Sequence, residues 1–89
     1  MNSAKTSEKK TVVTATGKEF KTDYVNASNA LGRLTIRLQE VTMAEVAMVF
    51  SDPAETAAIT YAGQTIENYT KLIYISPEGT SIRVALRKE

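Results

Sequence analysis

Apolar and polar side chains alternate along several stretches of this chain, most clearly in residues 31–39. Every second position from Leu34 to Leu38 is apolar, and the positions between them are Thr35 and Arg37. A period of two aligns side chains on one face of a strand, whereas a helix would scatter them around its axis. The pattern therefore predicts a strand with one buried face and one solvated face.

Further short segments have the composition or alternation of strands, and turn residues separate them. In residues 19–25, Phe20, Thr22 and Tyr24 are predicted to share one face. Strands joined by such short turns pair in an antiparallel way. The remaining predicted strands are residues 11–16, 58–61, 65–69, 72–76 and 81–87, with a turn at Pro77–Gly79.

The segment LIYIS, residues 72–76, is apolar on both of its faces. A strand of this kind is buried on both sides in the folded protein. Either it is a central core strand, or its second face is covered by the helix, by a second sheet or by another subunit.

One short helix is predicted at residues 43–50. Thr42 followed by Glu45 is a capping box, in which the threonine hydroxyl accepts a hydrogen bond from the Glu45 N–H. An apolar stripe follows, with Met48 lying outside it; the stripe consists of Met43, Val46, Val49 and Phe50. Pro53 ends the helix and can begin one extra turn capped by Asp52.

These elements predict a β-dominated α+β domain. We expect a small, mainly antiparallel barrel or sandwich of six to seven strands with one short helix at about residues 43–50. Residues 1–10 contain no large apolar side chain beyond Met1 and are predicted to be a flexible arm. Residues 11–89 are then a single domain.

The composition argues against most catalytic chemistry. The sequence contains no cysteine and no histidine, which removes thiol catalysis, the commonest general base and the commonest metal ligand. The carboxylates of Glu45, Asp52 and Glu55 already have local explanations in the helix cap and the turn at Pro53. We therefore expect a non-enzyme without a cofactor or metal.

Hydropathy and charge bear on the location and the partners of this protein. The longest apolar run, Val46–Phe50, is too short to span a membrane, so we expect a cytoplasmic protein without membrane partners. The net charge of +1 is segregated: residues 1–40 carry +3, residues 41–70 carry −4 and residues 71–89 carry +2. Such asymmetry arises by chance or provides an electrostatic surface for a partner.

The polar positions of two strands carry arginines in pairs. If the strands are neighbours, the four guanidinium groups form a stripe, with Tyr61, Tyr69 or Tyr74 as possible stacking platforms for nucleic acid. The other interpretation is a solvated strand face, which we favour because the whole chain is scarcely basic. The four residues are Arg33, Arg37, Arg83 and Arg87.

The second half of the chain, Glu45–Glu89, resembles small proteins encoded among the structural genes of bacteriophages and prophages. The likeness lies in a short helix leading into FSDPAET, the strand and turn ITYAGQTIENYTKL, and a closing β-hairpin. It implies a tail-associated virion component that self-associates or docks on other virion proteins, located in the host cytoplasm or the virion.

The resemblance suggests contacts between protein subunits. An acidic helix region with Glu45, Asp52 and Glu55 would face the four arginines of the next subunit. Met48 and Tyr74 would add apolar contact. Two alternatives stay open: a small mobile-element inhibitor that binds a host protein, and a nucleic-acid-binding β domain that uses the arginines.

Overall fold

The computed structural model of this protein describes residues 10–28 and 30–88. The predicted arm lies outside the described residues except for Lys10, which is the first residue of β1. The elements follow the predicted segments within a few residues: β1 (Lys10–Val13), β2 (Glu19–Ser28), β3 (Arg33–Gln39), α1 (Met43–Phe50), α2 (Pro53–Thr56), β4 (Ala58–Tyr61), β5 (Gln64–Glu67), β6 (Lys71–Glu78) and β7 (Ser81–Arg87).

The seven strands of the described residues belong to one sheet in the order β5-β4-β1-β2-β3-β7-β6. Every neighbouring pair is antiparallel. The prediction of a β-dominated, antiparallel α+β domain is confirmed. Its strands form a single sheet that ends at β5 on one side and at β6 on the other, and the described chain has the short second helix α2 in addition to α1.

One face of the sheet, the inner face, carries the core. In the register between β3 and β7, Leu34 lies opposite Leu86 and Ile36 opposite Val84, and all four side chains are fully buried. Helix α1 covers this face with Val46, Val49 and Phe50, and the Phe50 ring lies 5.4 Å from that of Phe20. Since strand side chains alternate, the arginines of β3 and β7 point to the opposite, outer face.

Strand β2 contains a β-bulge that changes the predicted facing of Tyr24. The register shifts between Thr22, which lies opposite Leu38, and Tyr24, which lies opposite Arg37. Asp23 is the extra residue. The Thr22 hydroxyl stabilises the bulge by donating to the Arg37 carbonyl at 2.6 Å and accepting from the Tyr24 N–H at 3.2 Å. Thr22 is therefore inside and Tyr24 outside, so the predicted common face is wrong.

Strand β6 is an edge strand, which contradicts the central-strand interpretation of LIYIS. Among the residues that the structure describes, it pairs only with β7, and a second bulge lies between Leu72 and Tyr74. Leu72 and Ile75 are half-buried against the core, whereas Ile73 and Tyr74 are exposed. Pro77 lies within the strand rather than in the turn, because an edge strand tolerates a residue without an N–H group.

Helix α1 begins as its sequence predicts. Thr42 is the N-cap, and its hydroxyl accepts a hydrogen bond from the Glu45 N–H at 3.1 Å. Met43 differs from the prediction, since it is exposed rather than buried with the apolar stripe. Asp52 caps α2 by accepting from the Ala54 N–H at 3.0 Å, with Pro53 following it as predicted.

Candidate functional site

The four predicted arginines lie together on the outer face of two neighbouring strands. Strand β3 pairs with β7 so that Arg33 lies opposite Arg87 and Arg37 lies opposite Arg83. The alternation that buries Leu34, Ile36 and Leu38 on the inner face places the β3 arginines on the outer one. Because β3 and β7 are neighbours, the four arginines can form a stripe. It consists of two rows, Arg37–Arg83 and Arg33–Arg87, which differ in their partners.

The Arg37–Arg83 row is neutralised by two carboxylates. Arg37 donates from Nε to Asp23 Oδ1 at 2.8 Å and from Nη1 to Glu78 Oε1 at 3.3 Å. Arg83 binds both oxygens of Glu78, at 2.9 Å from Nε and 3.1 Å from Nη2. The network therefore holds two positive and two negative charges, and we call it the neutral network.

Tyr24 belongs to the same row. The guanidinium carbons of Arg37 and Arg83 lie 5.8 and 5.9 Å from the centre of its ring, within the range of cation–π contact. Hydrogen bonds from Arg83 and then Arg37 lower the pKa of Glu78 below its ordinary value. Hydrogen bonding to Asp23 and then Glu78 raises the pKa of Arg37. These contacts hold the arginine side chains against the sheet.

The Arg33–Arg87 row carries the excess positive charge of the outer face. Arg87 lies between Arg33 on β3 and Lys71 on β6 in the strand register. Among the described residues, none of the three forms an ion pair. We call Arg33, Arg87 and Lys71 the basic end of the outer face.

An apolar patch adjoins the basic end along the β6 edge. Tyr74 is 38% exposed and lies opposite Ala85, which is fully buried although it belongs to the outer face. Ile73, the extra residue of the bulge, is also 38% exposed. The outer face thus combines exposed apolar side chains with cationic ones. The two other tyrosines suggested as stacking platforms are unsuitable, since Tyr69 is buried and Tyr61 packs against the core.

A second surface lies on α1, which packs on the other side of the sheet. Its core residues point inwards, and a stripe of apolar side chains at i, i+1, i+4 and i+5 points outwards. Met48 is 71% exposed and Met43 is 41% exposed. Glu45 and Asp52 are exposed beside this stripe. We call Met43, Ala44, Ala47 and Met48 the helix surface.

Glu55 is not part of any exposed acidic surface, which corrects the predicted set of contact residues. Its side chain is 8% exposed, and Lys18 donates to Oε2 at 2.8 Å. The hydroxyls of Thr14 and Thr16 donate to Oε1 at 2.7 and 2.6 Å. Hydrogen bonds from Lys18, Thr16 and Thr14 lower the pKa of Glu55 to about 2. The carboxylate therefore attaches α2 to the β1–β2 turn.

No protein-family model, curated protein or solved structure matches this chain. Within residues 10–28 and 30–88, no group of three or more acidic side chains is arranged to hold a metal ion. The helices of this described part are too short to cross a bilayer.

The outer face contains residues that the sequence pattern did not identify. Tyr24 was missed because the bulge at Asp23 is not visible in simple alternation. Lys71 and Glu78 were missed because β6 extends two residues beyond the predicted strand at its end and one at its start. A usable signal was present in Pro77, since a proline inside an otherwise strand-like run is typical of an edge strand.

Proposed function

We propose that this chain is a non-catalytic interaction protein that self-associates or docks on other proteins. The observation that supports the proposal is the helix surface, where two methionines and two alanines lie exposed side by side. Exposed apolar stripes of this kind mark protein–protein contacts more often than isolated surface residues do. Methionine is common at such contacts because its flexible side chain adapts to different partners.

A second exposed surface supports the same proposal. The outer face carries Tyr24, Ile73 and Tyr74 among arginines, and tyrosine and arginine are enriched in protein interfaces. The neutral network keeps Arg37 and Arg83 ordered, which lowers the entropy cost of using them in a contact. A chain with contact surfaces on two sides suits a component that joins neighbours.

We further propose that the neighbours are virion proteins of a bacteriophage or prophage and that this chain is a small tail-associated component. The support is the resemblance of residues 45–89 to proteins encoded among phage structural genes. Such a component would be synthesised in the host cytoplasm and then carried in the particle.

Mass spectrometry of purified particles tests this role. Phage induced from cells that carry the gene should contain the wild-type chain in stoichiometric amount. A Met43→Ser, Met48→Ser variant should be depleted from particles, because it lacks the apolar side chains of the helix surface. The matched control is Gln64→Ser, Thr65→Ser on the exposed edge strand β5, which should be incorporated normally.

Absence of the wild-type chain from particles would contradict the virion role. Retention of one host protein by the immobilised wild-type chain, abolished by the methionine variant, would then indicate the inhibitor alternative.

Nucleic-acid binding is the second candidate function, and the basic end favours it. Arg33, Arg87 and Lys71 lie beside exposed Tyr74, so phosphates and an unstacked base would both find partners. Fluorescence anisotropy with a labelled single-stranded oligonucleotide at low salt tests this candidate. Binding that is lost in Arg33→Glu, Arg87→Glu would support it, and unchanged anisotropy with the wild type would exclude it.

A further inference from the structure

We infer that the helix surface of one copy docks on the outer face of a second copy, at the basic end. The inference rests on the proposed function and names the partner: another molecule of this chain. It is carried by complementary charge and matching apolar character on two surfaces of the same fold.

The helix surface is acidic around its apolar stripe. Exposed Glu45 lies in the first turn of α1, and exposed Asp52 follows the helix. Residues 41–70 contain no lysine or arginine, so no cation of this segment offsets them. Glu55 does not contribute, because Lys18 already binds it.

The basic end of the outer face has the opposite charge around a similar apolar patch. Its three cations have no anionic partner among the described residues, whereas Arg37 and Arg83 are satisfied by Asp23 and Glu78. Ile73 and Tyr74 lie beside Lys71 on the same strand. Apolar contact between this patch and the methionines would provide affinity, and the charges would set orientation.

The edge of β6 is poorly suited to the other obvious mode of self-association, in which two copies extend the sheet. The bulge between Leu72 and Tyr74 interrupts the row of backbone groups. Pro77 has no N–H to donate, and Lys71 places a charge on the edge. All three features protect edge strands against strand addition. At this end of the sheet, a second copy therefore meets the outer face rather than the edge of β6.

The two surfaces lie on opposite sides of the sheet, and this determines the symmetry. Helix α1 packs on the inner face, while the basic end belongs to the outer face. A contact between two different surfaces is heterologous, and it closes into a ring or continues as a filament. Each copy then has one surface free until the next copy arrives.

Two variants that block one surface each provide the test. The outer variant, Lys71→Glu with Arg87→Glu, reverses the basic end. The helix variant, Glu45→Lys with Met48→Lys, reverses the helix surface and removes its most exposed methionine. All four positions are exposed, so both variants should fold, and circular dichroism checks this. A control with Gln64→Lys and Thr65→Lys on β5 adds positive charge outside both surfaces.

Sedimentation velocity gives the readout. We expect the wild type and the control to self-associate. Each variant alone should associate at least about tenfold more weakly than the wild type. A mixture of the two variants should regain association beginning with a heterodimer, because the helix surface of one variant meets the basic end of the other and the two reversed surfaces also carry opposite charges.

Three results would overturn the inference: a folded variant that still self-associates like the wild type, a mixture without heterodimer, or a wild type that stays monomeric. A monomeric wild type would not contradict docking on other proteins, because mass spectrometry of purified particles measures that docking separately. A symmetric dimer through one surface would be recognised because one variant alone would still dimerise.

Discussion

At the scale of single residues, Glu55 shows how a carboxylate in a short acidic segment can be structural. Two threonine hydroxyls and Lys18 surround it, and its own backbone carbonyl accepts from the Ala15 N–H at 2.9 Å. The sequence correctly placed Glu55 in a helical turn after Pro53. It did not predict the burial, because Thr14, Thr16 and Lys18 are about forty residues away along the chain.

Glu55 should make stability depend on pH in the acid range. Its pKa in the folded chain is about 2, below the ordinary value of 4.5. A lowered pKa means that the stabilisation is fully present above pH 4.5 and is lost as the pH falls towards 2. We expect Glu55→Gln to be less stable than the wild type at pH 7, with the difference shrinking between pH 4.5 and pH 2.

Urea unfolding at a series of pH values measures this effect. The control is Glu67→Gln on β5, which alters an exposed glutamate. Its free energy of unfolding should differ little from that of the wild type at every pH. A Glu55→Gln penalty that stays constant down to pH 2 would show that its charge is not the source of the stabilisation.

Ala62 is a second residue whose local state is unusual. It occupies the two-residue turn between β4 and β5 with φ of 53°, and Gly63 follows with φ of 79°. Hairpin turns of this kind need positive φ at both positions and favour asparagine followed by glycine. The sequence predicted the turn from Ala62-Gly63, but alanine gave no sign that it would adopt this conformation.

Replacing Ala62 with asparagine should raise the free energy of unfolding by roughly 1 kcal/mol, since an L residue without a short polar side chain costs about that much in the left-handed region. Thermal unfolding measures the change. The reciprocal control is Gly63→Ala, which should destabilise the fold: the added Cβ meets no atom within 4 Å, so any loss is conformational. If Ala62→Asn has the same free energy of unfolding as the wild type, the backbone at Ala62 is not strained.

At the scale of elements, α1 was predictable because its signals are local. The cap at Thr42, the buried positions and the break at Pro53 all lie within a dozen residues. The facing of Met43 was not predictable from periodicity alone, since the apolar stripe includes Met43 although its side chain is exposed.

The Thr42 cap should contribute measurably to stability. Thr42→Ala removes the acceptor for the Glu45 N–H and should cost about 1 kcal/mol, the usual value for an N-cap. Thr42→Ser keeps the hydroxyl and should be close to the wild type. Equal stability of Thr42→Ala and Thr42→Ser in chemical unfolding would show that the hydrogen bond does not stabilise α1.

The strands show the same limit of local signals. Alternation located β3 and β7 within two residues, because each of them buries one full face. It failed where bulges interrupt β2 and β6, since one extra residue transfers every later side chain to the opposite face. The exposed tyrosines of the outer face result from these two bulges.

At the scale of the whole molecule, the strand order places the candidate site. Pairing of β3 with β7 joins segments separated by more than forty residues and brings the four arginines onto one face. The sequence indicated the arginine pairs but not the pairing of their strands, because that order depends on long-range contacts. It also did not show that Asp23 on β2 and Glu78 on β6 would neutralise the Arg37–Arg83 row. The Arg33–Arg87 row is left without such a partner among the described residues.

We propose that two surfaces on opposite sides of this sheet, one acidic and apolar and one basic and apolar, join copies of the chain. The most direct measurement is sedimentation velocity of the wild type over a series of protein and salt concentrations. We expect species heavier than the 9.7 kDa chain at low salt, which dissociate as salt screens the charges. A single species of monomer mass at every protein and salt concentration would contradict it.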